Sequence, residues 1–147
     1  MSKRLVPYET TLLVRDHCLC LHAQRAARVL ARRFDEALRP LGITNQQYSL
    51  LMALNRPAPP PMGAVAGVLG MDRTTLTAAL KPLERRGLVA IVADEADRRA
   101  RLLVLSEAGL TLLGEAFPIW RDTHAEIEAA LPSVDPGRLR ADLRALG

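Results

Sequence analysis

Apolar residues between positions 65 and 89 recur in the way that two short helices joined by a tight turn require. The first repeat ends at Gly70, a residue suited to a helix C-terminus. Asp72 then stands where a carboxylate can cap the next helix. The apolar positions are Val65, Ala66 and Leu69 before the turn, and Leu76, Ala79, Leu80 and Leu83 after it. This pattern predicts a helix-turn-helix whose second helix packs inward through its leucines.

The opposite side of the second helix is short, polar and basic. The residues that begin the helix or face outward are Arg73, Thr74, Thr75, Thr77, Ala78, Lys81 and Arg85. Threonine can hydrogen-bond to base edges and touch the thymine methyl, while lysine and arginine suit guanine or phosphate. We therefore predict that this face enters the major groove of DNA. An ordinary amphipathic helix with a solvated face is the alternative that periodicity alone leaves open.

A β-hairpin is predicted directly after this helix. Gly87 ends the helix, residues 88–93 and 102–105 form two strand patterns, and a charged tip joins them. Such a hairpin is a wing. Arginines at its tip, Arg98 and Arg99, can reach a minor groove, where the phosphates of both strands concentrate negative potential. Seen alone, the same pair could be solvated surface charge.

Helical patterns precede this region. Residues 10–38 form one long predicted helix, which Pro40 and Gly42 end. Residues 44–47, Thr-Asn-Gln-Gln, have the pattern of a capping box for the following helix. Residues 57–61, Pro-Ala-Pro-Pro-Pro, cannot be helical and are predicted to form a stiff, exposed connector.

The last third of the chain predicts assembly. Ser106 can cap a long helix with an apolar seam, bent at Pro118, and Asp135 with Pro136 begins a final helix. A chain this short has little core against which to bury these helices, so a homodimer is predicted, with an intramolecular bundle as the alternative. The candidate dimerisation residues are Leu12, Leu13, Trp120, Ile127, Leu131, Leu139 and Leu143.

Composition narrows the class of protein. The chain has 147 residues, enough for one domain with a core. Hydrophobic residues make up 49% and aromatic residues 3%, which favours a helical core of leucine, alanine and valine. The net charge of +4 suits a polyanionic partner. Neither a signal-peptide pattern nor a run of about 18 apolar residues is present, which predicts a cytoplasmic protein without a membrane span.

No enzyme pattern emerges from the sequence. It contains no glycine-rich phosphate loop, no serine elbow and no pair of carboxylates in a predicted cleft. We therefore predict neither catalysis nor a cofactor nor a metal. The predicted fold class is mainly α with a small β wing. The winged helix-turn-helix, residues 44–105, lies between N-terminal (1–43) and C-terminal (106–147) dimerisation helices, within one structural domain.

Residues 44–110 resemble the MarR family of bacterial winged-helix transcription regulators. The matching segments are Val65-Ala66, Leu69-Gly70, residues 72–77, residues 83–89, residues 97–99, Leu105-Ser106 and Gly109. The resemblance implies a homodimer that binds pseudo-palindromic operator DNA as a repressor, often released by a small phenolic or other apolar ligand. Such a ligand would lie between the first helix, the second helix and the C-terminal seam. Ala78 departs from the polar or basic residue that family members often carry there.

Two acidic residues are expected to support the wing. Asp72 is expected to pair with Arg99 and hold the wing against the second helix, and the resemblance implies the same contact. Asp97, at the hairpin tip, is assigned to the same support. A winged helix used only for protein interaction, without an operator, is an alternative function.

Two cysteines suggest a further alternative, an oxidant sensor. Cys18 and Cys20 lie about 200° apart on the predicted helix, so they cannot form a disulfide with each other while it holds. By resemblance, Cys20 matches the reactive thiol of hydroperoxide-sensing members, but their supporting tyrosines correspond here to Phe34 and Asn45. The favoured interpretation is buried, apolar thiols. Cys18, Cys20 and His22 stay candidate effector or redox residues, and a metal site there is a weaker alternative.

Overall fold

Seven α-helices and one two-stranded antiparallel sheet make up the residues that the computed structural model describes, 5–132 and 135–147. In chain order they are α1 (Tyr8–His17), α2 (Leu19–Leu38), α3 (Asn45–Leu54), α4 (Met62–Leu69), α5 (Arg73–Arg85), β1 (Val89–Ala93), β2 (Arg101–Leu105), α6 (Glu107–Ala129) and α7 (Pro136–Arg144). A short 3-10 helix, Arg39–Leu41, follows α2. The predicted mainly helical fold with a small wing is confirmed.

The chain divides into two compact units, Met1–Arg33 and Phe34–Gly147, with the boundary inside α2. In the described part of the first unit no side chain is buried. The core lies in the second unit, and its fully buried side chains are Leu38, Leu50, Leu51, Val65, Leu76, Leu80, Leu83 and Leu103. The three functional regions predicted from the sequence, residues 1–43, 44–105 and 106–147, do not correspond to these two units. They stay a prediction.

The prediction of one continuous helix over residues 10–38 is wrong. Cys18 interrupts it with an extended backbone, φ −75° and ψ 109°. The Cys18 N–H still donates to the Val14 carbonyl at 2.9 Å, while its own carbonyl accepts from the His22 N–H at 3.1 Å. The thiol accepts from the Leu21 N–H at 3.4 Å, as a serine N-cap would. Cys18 therefore ends α1 and starts α2.

The proline connector is exposed at residues 57–59 and 61, as the sequence predicts, but residue 60 departs from that prediction. Pro60 is buried, and its carbonyl accepts the Leu103 N–H at 3.0 Å. Pro61 forms a bridge with Leu102. The other side of β2 pairs with β1, in a register that places Val89 opposite Leu105. Proline lacks an N–H but keeps a carbonyl acceptor, so it can lie beside a strand that has N–H groups to offer.

The predicted N-caps of α3, α6 and α7 are confirmed. Thr44 and Gln47 form both bonds of the capping box of α3. Ser106 caps α6 by accepting from the Gly109 N–H at 3.1 Å, and Asp135 caps α7. α6 runs through Pro118, and α5 similarly contains Pro82. Of the helices in the described residues, none combines the length and apolarity that crossing a bilayer demands.

Candidate nucleic-acid interface

The turn between α4 and α5 is fixed by a glycine and a capping carboxylate. Gly70 has φ 64°, which lets the Met71 N–H return to the Ala66 carbonyl at 3.0 Å. One oxygen of Asp72 accepts from the Thr75 N–H at 2.7 Å. This bond holds the pKa of the Asp72 carboxyl below its usual value. Both roles predicted from the sequence are confirmed, and they fix where α5 begins.

α5 buries one face and exposes the other. Leu76, Leu80 and Leu83 have no exposed surface. The residues assigned to DNA all remain exposed, namely Arg73, Thr74, Thr75, Thr77, Ala78, Lys81 and Arg85. Within residues 5–132 and 135–147, none of the three cations in this set has a carboxylate partner within salt-bridge distance. This face, called the α5 outer face below, is therefore open and positively charged.

One threonine of the α5 outer face already uses its hydroxyl. The Thr77 hydroxyl donates to the Arg73 carbonyl at 2.8 Å and lies 3.7 Å from the Met62 sulfur. A base contact by Thr77 would therefore compete with a bond inside its own helix.

The wing presents its arginines at the tip of the β1–β2 hairpin. Arg98 and Arg99 are exposed there. Asp97 braces the tip locally: its carboxylate accepts from the Arg99 N–H at 3.0 Å, and its carbonyl accepts from the Ala100 N–H at 2.9 Å. Asp97 is thus a support of the hairpin turn itself.

The expected ion pair between Asp72 and Arg99 does not form among the described residues. The Asp72 carboxylate instead caps α5. A carboxylate oriented toward the free N–H groups of a helix already has strong partners, and it gains little from a distant arginine in water. The wing support assigned to Asp72 is therefore corrected to support of α5.

Sequence reasoning missed an arginine at the end of α5. Arg86 donates from Nη1 to the Gly42 carbonyl at 2.7 Å and from Nη2 to the Leu41 carbonyl at 3.4 Å. At the same helix end, the Ser106 hydroxyl donates to the Gly87 carbonyl at 2.7 Å. The first contact joins residues 44 positions apart, so no local pattern reveals it.

An open groove of about 520 Å³ lies between α3, α4 and α6. Its lining residues are Tyr48, Ser49, Met52, Ala53, Val68, Leu69, Phe117 and Trp120. The ring centroids of Tyr48 and Phe117 lie 6.3 and 6.1 Å from that of Trp120. Burial raises the pKa of the Tyr48 hydroxyl. The ligand pocket expected between the first helix, the second helix and the seam stays a prediction.

The two thiols differ from the buried pair that the sequence favours. Cys20 is exposed, with Gln24 Nε2 at 3.5 Å from its sulfur, and Cys18 is half-buried at the helix break. His22 Nδ1 lies 2.7 Å from the Cys18 carbonyl oxygen. In the part of the chain that the structure describes, no three His, Cys, Asp or Glu side chains are grouped to hold a metal. The oxidant-sensor alternative stays a prediction.

The candidate dimerisation residues all keep some exposed surface. In α1, Leu12 is half-buried and Leu13 is 57% exposed. Leu143 in α7 is 52% exposed. The half-buried members near the C-terminus are Trp120, Ile127, Leu131 and Leu139. Their role in assembly stays a prediction.

Comparison with known proteins adds independent evidence. The model of the MarR family matches residues 41–100. Among curated proteins, the transcriptional activatory protein BadR of Rhodopseudomonas palustris is 36% identical over 88 residues, which are 58% of this chain and 50% of that protein. The chain thus spans about half the length of the curated relative it matches.

Solved structures match over most of the chain. The M. tuberculosis transcriptional regulator MosR, in complex with DNA, has a TM-score of 0.80 and 37% identity over 88% of this chain and 93% of that chain. A probable transcriptional regulator from Pseudomonas aeruginosa has a TM-score of 0.80 and 26% identity, covering 90% of this chain and 98% of that chain. With its winged helix, its match to the family model and its likeness to MosR, this chain belongs to the MarR family of transcriptional regulators.

Proposed function

We propose that this chain represses transcription as a homodimer that binds a pseudo-palindromic operator through α5 and the wing. The observation that carries the proposal is the α5 outer face, which is exposed, rich in threonine and cationic. Its cations have no carboxylate partner among the described residues. The likeness to MosR, a protein crystallised in complex with DNA, supports the same use of the fold. Because the chromosome is its target, we place the protein in the cytoplasm.

The α5 outer face and the wing tip would bind different grooves of DNA. Thr74, Ala78 and Lys81 lie along the exposed length of α5, where short side chains can reach base edges and a lysine can reach guanine. Arg98 and Arg99 at the wing tip suit a minor groove, whose negative potential attracts arginine.

The first unit supplies the argument for a second copy. None of its described side chains is buried, and its exposed apolar residues include Leu5, Val6, Tyr8, Leu13 and Val14. A helix of only ten residues, such as α1, is marginal in water without a packing partner. We propose that a second chain covers these residues. A twofold axis would then set two α5 helices about 34 Å apart, one turn of DNA.

The test is selection of bound genomic fragments, followed by affinity measurement at about 50 to 300 mM salt. We expect a complex with two chains, whose log affinity falls by about 0.9 per phosphate contact for each tenfold rise in salt. Lys81→Ala should weaken the selected site more than random DNA, while Arg98→Ala with Arg99→Ala should weaken both. Arg121→Ala, which removes an exposed cation of α6, is the control and should change neither.

Three results would contradict this proposal. They are a salt-independent affinity, a single-chain complex, or a loss in the Arg121 variant equal to that in the Lys81 variant. A dimer that selects no fragment would favour the protein-interaction alternative. Repression is tested separately, by measuring transcription from a promoter that carries the selected site. Transcription should fall when the protein is added. A rise would indicate an activator, as BadR is named.

We further propose that a flat, apolar, aromatic ligand binds the groove between α3, α4 and α6 and releases the operator. The lining includes three stacked aromatic rings and no charged side chain. Val68 is 67% exposed and Phe117 is 44% exposed, so apolar surface faces the solvent. Tyr48 and Ser49, which both carry a hydroxyl group, are among the lining residues.

The chain has one tryptophan, Trp120, and it lines this groove. Addition of 2-naphthol, used as the probe, should therefore change Trp120 fluorescence and dissociate the operator complex. Phe117→Ala should raise the concentration needed for both effects about tenfold, because a stacking surface is lost. Unchanged fluorescence at millimolar probe, or release that Phe117→Ala leaves unaffected, would contradict the assignment of the ligand to this groove.

A further inference from the structure

We infer that Arg86 is a positioning residue for α5. Its guanidinium binds the turn after α2 and so sets the direction of the helix that would read DNA, without itself contacting DNA. This inference rests on the proposed DNA-binding function of α5.

The contact of Arg86 with the turn is specific. The carbonyls of Leu41 and Gly42, at the end of the 3-10 helix, accept from Nη2 at 3.4 Å and from Nη1 at 2.7 Å. Carbonyls at a helix end lack partners within the helix and carry partial negative charge. A Cβ built on Gly42 would lie 3.8 and 3.9 Å from the two guanidinium nitrogens, so the planar group lies directly against this glycine. Each terminal nitrogen of Arg86 thus donates one hydrogen bond to the turn.

The turn that receives Arg86 is itself anchored. One oxygen of Asp35, in the last part of α2, accepts from the Asn45 N–H at 2.7 Å and from its side-chain amide at 2.8 Å. Asn45 is the first residue of α3. The turn between α2 and α3 is therefore fixed to the end of α2, and Arg86 connects α5 to a rigid point.

A second link joins the same end of α5 to α6. The Ser106 hydroxyl donates to the Gly87 carbonyl at 2.7 Å, and the Ser106 N–H donates to the Leu88 carbonyl at 3.0 Å. Ser106 is the N-cap of α6, which also lines the proposed ligand groove. The C-terminal end of α5 thus contacts the ends of both α2 and α6.

This arrangement makes the position of the N-terminal end of α5 sensitive to small rotations at its C-terminal end. The helix has 13 residues and is about 20 Å long. A rotation of about 10° at its C-terminal end would move its N-terminal end by roughly 3 Å, whereas a hydrogen bond to a base tolerates only tenths of an ångström. Loss of the Arg86 contact should therefore reduce discrimination between sequences more than attraction to phosphate.

The experiment compares Arg86→Ala with Arg85→Ala, which removes the same charge from the neighbouring position, exposed like Arg86. Affinities for the selected operator and for random DNA are measured against salt, well below the melting temperature of each variant. Arg86→Ala should weaken operator binding about tenfold with little change for random DNA and an unchanged salt slope. Arg85→Ala should weaken both and reduce the slope by about 1.

Arg86→Lys provides the third measurement. A lysine keeps the charge but cannot present two nitrogens in a rigid fork, so it should restore only part of the operator preference. This variant also replaces Arg86→Ala if the alanine chain does not fold.

Two results would overturn the inference alone. If Arg86→Ala reduces the salt slope as Arg85→Ala does, and lysine restores it, Arg86 is a phosphate contact. If Arg86→Ala lowers the melting temperature but leaves the ratio of operator to random affinity unchanged, its role is only structural. A parent chain that binds no DNA would instead overturn the proposed function, and this inference with it.

Discussion

Gly109→Ala is expected to destabilise the fold by about 1–3 kcal/mol, because the added methyl group has no room. A Cβ at Gly109 would lie 2.4 Å from the Leu88 carbonyl oxygen and 2.7 Å from Leu105 Cδ1. The Leu88 carbonyl accepts the Ser106 N–H at 3.0 Å, so it cannot retreat without losing that bond. Urea denaturation of parent and variant at equal chain concentration measures the difference.

Gly114→Ala is the matched control on the same helix. Nothing lies within 4 Å of a Cβ built at Gly114. Alanine there should raise the free energy of unfolding by about 0.5–1 kcal/mol, since glycine in a helix loses more backbone entropy on folding. Equal effects of the two substitutions would show that the close approach at Gly109 does not constrain the chain.

Leu80→Ala should lower the free energy of unfolding by about 2–5 kcal/mol. Leu80 has no exposed surface and belongs to the leucine face that holds α5 on the core. Removing its side chain leaves a cavity between α5 and the rest of the core, so operator binding should weaken as well. Denaturation and operator affinity are measured on the same preparation.

Thr74→Ala separates stability from DNA recognition. Thr74 is exposed on the α5 outer face, so its loss should change the free energy of unfolding by less than about 0.5 kcal/mol. Operator affinity should nevertheless fall, because a base-edge contact is worth about 1–3 kcal/mol. A Leu80 variant as stable as the parent, or a Thr74 variant that binds the operator normally, would contradict this division of the helix.

The features that sequence predicted correctly depend on neighbours within one or two turns of helix. The glycine at position 70, the Asp72 cap and the Thr44–Gln47 capping box each act over no more than a few residues. The leucine face of α5 follows from helical periodicity alone. Local chemistry therefore predicted where α3 and α5 begin and which side of α5 stays exposed.

The features that sequence missed depend on distant parts of the chain. Arg86 binds carbonyls 44 and 45 positions away, and the Pro60 carbonyl meets Leu103 across a whole helix-turn-helix. The Asp72–Arg99 pair was a wrong long-range prediction, because the nearer N–H groups satisfy Asp72. At Cys18, a thiol acts as a helix cap, a role that the residue type rarely signals.

The buried Pro60 has a consequence for the wing as a surface in solution. An edge strand with free N–H and carbonyl groups invites pairing with another chain and thus aggregation. Residues 60 and 61 lie along the edge of β2. Both are prolines and have no N–H to donate to a strand of another chain. The hydrogen-bond ladder cannot extend through them, so β2 offers no template for intermolecular sheet growth along the part of its edge that they occupy.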